Sequence, residues 1–297
     1  MKSDESLKET IIHGTPKMPI KGMHCTAGEG TPYPVPFFVD RHWHHKTEIV
    51  SIIRGTYEFE INLENYILQE GDICFLNSED LHKISGRGKT MIHDVILFDS
   101  RILNFSYEDD FEENVIGPFV AKEKSFPHVI TPKAPDYQII SQMIQELMAQ
   151  SINQKKGWYC SCKLLLLKLI YYMEENQLLL SSNKILSATD KQKISRYKEI
   201  TSYIEKNYAE PITLQQLADI IPCNSQYLCR FFKEITGITP IQYLIQRRVE
   251  HACEMLKETT KSVLEISLDC GFENVSYFIR QFKKLKGCTP KEYRKDS

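Results

Sequence analysis

The chain has 297 residues, of which 42 % are hydrophobic and 26 % charged, with 13 Gly and 13 Pro. That composition fits folded globular protein of about two domains and excludes collagen-like or low-complexity chains. The formal charge of −2 does not point to nucleic acid, but division near Asp190 gives +4 for residues 190–297 and −6 for the rest. Such an asymmetry suggests a polyanion partner at one end. No stretch approaches the roughly 20 apolar residues of a membrane span, and Met1–Ser6 carries no signal-peptide core. A cytoplasmic location without membrane contact is the expectation. Nine cysteines lie scattered without CxxC pairs and read as free thiols of a reducing compartment.

Short strands come first. Glu48–Ile53, Tyr57–Ile61, Asn65–Leu68, Asp72–Leu76 and Thr90–Phe98 are rich in Val, Ile, Phe and Tyr, with Gly55, Gly71, Gly86 and Gly88 between them. This spacing predicts a small antiparallel barrel or sandwich. At its start lies the run His42-Trp-His44-His45-Lys-Thr-Glu48. Side chains two apart on a strand share a face, so His42 and His44 point the same way, with Glu48 in phase. His82 would join them from another strand. Imidazoles with a carboxylate make a candidate site for a divalent transition metal.

Two amphipathic helices follow. Tyr137–Ser151 sets Ile140, Ile144, Leu147 and Met148 on one stripe, and Trp158–Asn176 does the same with Leu165, Leu166, Leu169, Tyr172 and Met173. They either cover the barrel or contribute a dimer seam. Periodicity then breaks, and residues 180–194 read as a linker between an N-terminal domain, 1–179, and a helical domain, 195–297.

The helical part repeats itself at a spacing of 50. Asn224/Asn274, Tyr227/Tyr277, Arg230/Arg280, Phe232/Phe282, Lys233/Lys283, Gly237/Gly287, Thr239/Thr289, Pro240/Pro290 and Tyr243/Tyr293 are identical. Each copy opens on a capping box, Thr213-Leu-Gln-Gln216 or Ser262-Val-Leu-Glu265. A short helix follows, Leu214–Ile220 or Val263–Asp269, then a tight break at Pro222-Cys223 or Gly271-Phe272-Glu273. A second helix begins after Asn224 or Asn274 and stops at Gly237 or Gly287. This is the helix-turn-helix pattern, whose second helix lies in the DNA major groove. Leu228, Phe231, Phe232, Ile235, Phe278, Phe282 and Leu285 should face the core. Ser225, Gln226, Cys229, Arg230 and Lys233 lie opposite, as do Val275, Ser276, Ile279, Arg280 and Lys283. Arg suits guanine and Gln adenine, while Cys229, Val275 and Ile279 suit thymine methyls. Lys233 and Lys283, with the helix-start amides at Asn224 and Asn274, suit phosphates. A helix over Ile241–Leu256 joins the copies. Its Arg247 and Arg248 fit either a backbone clamp or internal ion pairs.

Residues 195–297 thus resemble the DNA-binding domain of the AraC/XylS family of transcription regulators. The carrying segments are Tyr227-Leu-x-Arg230-x-Phe232-Lys233 with Gly237-x-Thr239-Pro240-x-x-Tyr243, and Tyr277-Phe-x-Arg280-x-Phe282-Lys283 with Gly287-x-Thr289-Pro290-x-x-Tyr293. Pro222 stands where the first turn of that family usually has glycine. The histidine run resembles both cupin motifs, with all four usual ligand positions, His42, His44, Glu48 and His82, filled. The second motif is otherwise altered, with Asn77 and Glu79 for Pro and Gly.

The resemblance implies an α+β multidomain chain. A cupin-like β-barrel with flanking helices would precede an all-α domain of two helix-turn-helix modules joined by a long helix. It implies an activator, not an enzyme, that binds a double-stranded DNA operator and a small effector such as a sugar. RNA polymerase and a second copy of the chain are the implied partners. It places base contacts at Gln226, Cys229 and Arg230, and at Ser276, Ile279 and Arg280. Phe37–Arg41 is similar to the sugar-binding stretch of the family's arabinose regulator. That makes Arg41 a candidate effector contact beside Trp43, His42, His44 and His93. No cofactor is required on this reading, a divalent metal in the barrel being the optional one. The rival is a cupin metal-binding protein or metalloenzyme with a helical appendage.

Overall fold

The computed structural model describes residues 15, 17–28, 37–181 and 188–295. They form two compact units, divided between Lys191 and Gln192.

In the first unit the strands are β1 (Ile20–Gly28), β2 (Phe37–His42), β3 (Thr47–Ile61), β4 (Glu64–Leu68), β5 (Ile73–Leu76), β6 (His82–Phe98), β7 (Lys124–Ser125), β8 (Val129–Ile130) and β9 (Leu180–Ser181). One antiparallel sheet runs β1–β6–β3–β5–β8, with β2 also on β6 and β4 also on β3. The segments expected as two strands, Glu48–Ile53 and Tyr57–Ile61, form one. Gly55 lies inside it at φ +102°, where the β3–β6 register shifts on either side of Arg54. Positive φ is cheap only for glycine, so this residue bends the strand rather than ending it.

No ladder joins β1 to β8 among the described residues, so of the two forms that the strand spacing allowed, barrel or sandwich, the sheet is not a closed barrel. It folds over instead. Val50, Ile52, Cys74, Leu76, Val95 and Leu97 from one half meet Phe37, Tyr57, Phe59, Ile61, Leu68 and Ile84 from the other in a shared core. This double layer is cupin-like. The other face of the first half, with Ile49, Phe75, Ile96 and Phe98, packs against helices. Covering on both faces explains why Thr47–Val50 and Ile73–Leu76 are buried without alternation.

A π-helical turn, Glu112–Ile116, leads into α1 (Gly117–Val120), and α2 (Tyr137–Asn153) and α3 (Trp158–Glu175) follow. Ile140, Ile144, Leu147 and Met148 of α2 are buried, as are Leu166, Leu169 and Met173 of α3. Each such aliphatic side chain contributes roughly 1.5–3 kcal/mol on burial. The stripes read from spacing are therefore the buried ones, that of α2 lying against the sheet and that of α3 packing in the same core against α2.

The second unit is helical: α4 (Ala188–Asn207), α5 (Leu214–Ile220), α6 (Ser225–Thr236), α7 (Pro240–Glu258), α8 (Val263–Asp269), α9 (Val275–Lys286) and α10 (Pro290–Lys295). The segment expected as linker, 180–194, differs at both ends. Leu180–Ser181 pairs with Lys124–Ser125, and α4 starts at Ala188. The polar stretch Thr189–Gln192 gave no apolar rhythm. The rhythm starts with Ile194, Tyr197, Ile200 and Ile204, all buried. Residues 182–187 lie outside the described residues.

Candidate functional site

The two second helices, α6 and α9, are built alike. Asn224 caps α6, its side chain accepting from Tyr227 N at 2.8 Å, and Asn274 caps α9, accepting from Tyr277 N at 3.0 Å. Gly237 and Gly287 close the helices at φ +80° and +78°. Leu228, Phe231, Phe232 and Ile235 are buried on α6, and Phe278 and Phe282 on α9, with Leu285 partly so. Opposite them Asn224, Gln226, Arg230 and Lys233 are exposed, and so are Asn274, Ser276, Arg280 and Lys283. Ser225, Cys229, Val275 and Ile279 are half-buried. No ion pair engages Arg230 or Arg280 among the described residues. The Arg280 guanidinium lies 5.3 Å from the Tyr277 ring centroid, a contact that leaves its donors available. Ser225, Gln226, Cys229 and Arg230 line an open depression together with Leu214 of α5, and the Ser225 hydroxyl donates to Gln215 Oε1 at 3.0 Å. Spacing within one helix could not reveal Leu214 and Gln215 as neighbours from across the turn.

The turn that carries Pro222 is closed in its own way. In the second copy Gly271 adopts φ +77°, and Phe272 N donates to Ser267 O at 3.0 Å. Proline cannot take a positive φ. In the first copy Ile221 turns the chain at φ −113°, ψ 77°, and Cys223 N donates to Ala218 O at 3.2 Å. The same type of closing bond forms, and four residues rather than five separate the helices.

The open question over Arg247 and Arg248 divides between them. Arg247 is buried, with Nε donating to Glu205 Oε2 at 2.9 Å and a second carboxylate, Glu250, at its Nη1. His251 Nε2 lies 3.2 Å from Glu205 Oε1. Burial alone would raise the Glu205 pKa, but the bonds from His251 and Arg247 outweigh it and hold the carboxyl at about 2. Arg248 clamps backbone instead, donating to Tyr208 O at 2.7 Å and Glu210 O at 2.8 Å. Both residues fasten α7 to the end of α4.

In the first unit, β2 carries a register shift between Val39 and His42 that sets His42 opposite His82. The ring centroids of His42 and His82 are 4.1 Å apart, and those of His44 and His82 are 5.2 Å apart. Glu48 Oε2 lies 3.2 Å from His44 Nε2 and 4.0 Å from His82 Nε2. Burial, helped by the neighbouring imidazoles of His42 and His44, pushes His82 well below the ordinary histidine pKa. The four residues expected to lie together do so.

Of the expected effector contacts, His42 and His44 belong to this cluster, while Arg41, Trp43 and His93 are engaged elsewhere. Arg41 is held in an ion pair by Glu60. Trp43 is buried, its ring edge-on to His45 at 5.2 Å, so it offers no open stacking face. His93 is buried and shares a 2.8 Å hydrogen bond with Tyr57 Oη. Burial lowers the His93 pKa to about 4. Tyr57 read only as a core strand residue in sequence.

Comparison with known proteins matches residues 27–170 to the AraC-like ligand binding domain and residues 217–296 to a helix-turn-helix domain. The chain belongs to the AraC family of transcription regulators. The HTH-type transcriptional regulator YdeC of Bacillus subtilis is 25 % identical over 98 % of this chain and 97 % of its own length. The melibiose operon regulatory protein of Escherichia coli is 24 % identical over 86 % of this chain and 83 % of its own. The bifunctional transcriptional activator/DNA repair enzyme AdaA of Bacillus subtilis is 43 % identical over 33 % of this chain and 46 % of its own. These relatives are transcriptional regulators. As a member of the AraC family the chain is a DNA-binding transcription regulator with an N-terminal ligand-binding domain. Among the described residues no helix of this AraC-family regulator is long and apolar enough to cross a membrane.

Proposed function

We propose that this regulator is a cytoplasmic activator that reads a double-stranded operator with both helix-turn-helix modules. The observation that carries the proposal is the pair Arg230 and Arg280. They are exposed, outside any ion pair among the described residues, and equivalent on two helices capped in the same way. Gln226, Cys229 and Arg230 read one groove segment, and Val275, Ser276, Ile279 and Arg280 the next. Each Arg bonds guanine O6 and N7, Gln226 pairs with adenine, and the apolar side chains pack on thymine methyls. Ser225, Lys233, Lys283 and the helix-start amides at Asn224 and Asn274 hold phosphates. The clamp of α7 on α4 supports a fixed separation of the two reading helices, suited to successive major grooves about 34 Å apart.

The ligand-binding unit takes a small effector, and a sugar is the class suggested by the melibiose operon relative. Arg41, His42, Trp43, His44 and His93 are its proposed contacts. Reaching Arg41 requires exchange of the Glu60 ion pair, and reaching Trp43 requires a local opening. The effector shifts the regulator only by its differential affinity for two states. Activation through RNA polymerase is supported by the likeness to AdaA, named as an activator. Homodimer formation through α3 is supported by Leu164 and Tyr171, exposed large apolar residues two turns apart on that helix. Reading DNA requires no cofactor. The test is a gel-shift titration of the full chain on candidate operator DNA at several salt concentrations, with and without a panel of sugars. Sequence-preferring, salt-sensitive binding supports the reading. Equal, weak binding to all DNA contradicts it.

A further inference from the structure

Thr47 opens β3, Ser78 follows β5, Ser100 follows β6, Lys122 follows α1, and Lys124 and Ser125 form β7. Together with Asn77 and Phe119 they line one small cavity of about 20 Å³, room for one water-sized group. No carboxylate belongs to the lining, and none of the effector contacts proposed above does.

Three of its hydroxyls are idle. Thr47, Ser100 and Ser125 are buried, at 2 %, 5 % and 9 % exposure. Ser125 Oγ has no hydrogen-bond partner among the described residues, and no hydrogen bond engages the hydroxyl of Thr47 or Ser100 among them. A hydroxyl buried without a partner is costly, so three around one cavity call for an occupant. The remaining polar side chains are spent. Asn77 exchanges both ends of its amide with the Phe126 backbone at 2.9 and 3.0 Å, and Ser78 Oγ donates to His45 O at 2.8 Å.

Two ammonium groups decide the charge of the occupant. Lys122 pairs with Glu79, and Lys124 pairs with Glu174 and donates to Asn114 O at 2.9 Å. An ammonium has three donors and no acceptor, so both lysines keep a donor to give. Hydroxyls donate or accept, but lysine only donates, and the set therefore suits an acceptor-rich anion. Glu79 also lies 3.1 Å from His45 Nδ1, so it keeps a partner when Lys122 turns to such an anion.

We propose that this cavity binds the phosphoryl group of inorganic phosphate or of a phosphate monoester. One oxygen sits among Thr47, Ser100 and Ser125, and the others stay at the mouth on Lys122 and Lys124. A water molecule is the competing occupant; it would satisfy hydroxyls but make no use of the two cations. Ser125 pairs with Leu180 in the two-residue ladder of β7 and β9. An occupied site would hold β7, and through it that ladder, more firmly. The proposal is independent of DNA recognition and of the effector contacts.

The test uses the full chain in phosphate-free buffer, titrated by calorimetry and followed by thermal melting at constant ionic strength. The probes are inorganic phosphate and glycerol 1-phosphate, with sodium chloride and glycerol as controls. One site per chain is expected, with a saturable rise in melting temperature that neither control produces. Binding of both phosphate probes would assign the site to phosphate monoesters, and binding of inorganic phosphate alone to the free anion. Lys122→Gln and Ser125→Ala should each weaken binding by at least about tenfold. Ser125→Ala removes a hydroxyl that has no partner, so without phosphate it should melt no lower than the parent. Lys122 is exposed, so its variant serves if Ser125→Ala fails to fold. Lys156→Gln, at an exposed lysine between α2 and α3, should leave binding unchanged. No saturable effect of either phosphate probe beyond the controls, or binding indifferent to the Lys122 substitution, would overturn the site.

Discussion

Arg247 Nε donates to Glu205 Oε2 at 2.9 Å, joining the helix between the two repeats to the helix before them. Glu205 is held at about 2 against an ordinary 4.5. A carboxyl with a depressed folded pKa contributes stability that is complete above its unfolded pKa and is lost as pH falls toward the folded one. The window is therefore about pH 4.5 down to about 2. The contribution is on the order of 1–2 kcal/mol, less than the full roughly 1.4 kcal/mol per unit because solvent screens a partly exposed pair. Denaturant unfolding of the full chain across this window should show stability falling with pH. Glu205→Gln should be less stable at neutral pH and show a flatter fall. A variant with the same acid profile as the parent would contradict this role.

The two arginines on the reading helices should behave alike. Arg230→Ala and Arg280→Ala are each expected to weaken specific operator binding by about 1–3 kcal/mol and to relax the preference at one base pair. Lys233→Ala should weaken binding to all sequences alike and lower the salt slope by about one. Fluorescence anisotropy on matched and mismatched operators separates the two effects. An arginine variant with unchanged preference would sink the assignment of that face.

Two glycines with almost the same φ should differ in what they tolerate. At Gly237, φ +80°, an added Cβ meets nothing within 4 Å, whereas at Gly271, φ +77°, it would lie 2.6 Å from Ala209 O. Gly237→Ala should cost about 1 kcal/mol, the penalty of the left-handed conformation alone. Gly271→Ala should cost at least about twice that, because backbone must also move. Equal melting temperatures for the two variants would argue against the close approach.

Leu164→Glu on the exposed face of α3 should leave the fold intact, since the side chain is 62 % exposed. If α3 carries the proposed dimer seam, light scattering should report a shift toward monomer. A variant with unchanged mass would place the dimer contact, if one forms, elsewhere.

The helical unit was almost fully legible because its signals are local. Thr213 and Ser262 each cap a helix through the predicted hydroxyl bonds, and the 50-residue identity places both reading helices. The sheet was less legible because its signals are not. Ile20–Gly28 contains little alternation and becomes β1 through a nine-residue ladder with β6, which no local pattern announces. Gly55 read as a strand boundary because a local reading cannot tell a bend from a turn. The histidine cluster was found from spacing and motif, but the register shift in β2 that sets His42 opposite His82 needed the fold. Arg41 read as open to an effector because Glu60, its partner, lies nineteen residues away on another strand.

The central claim is that two equivalent helices read DNA together. Selection of binding sites from a random duplex pool by the full chain tests it most directly. The expected result is a recurrent motif in two parts, centred about 10–10.5 base pairs apart, with the preference at one base pair of one part relaxed in Arg230→Ala and at one base pair of the other in Arg280→Ala. A pool with no enriched sequence, or one motif unchanged by both substitutions, would contradict it.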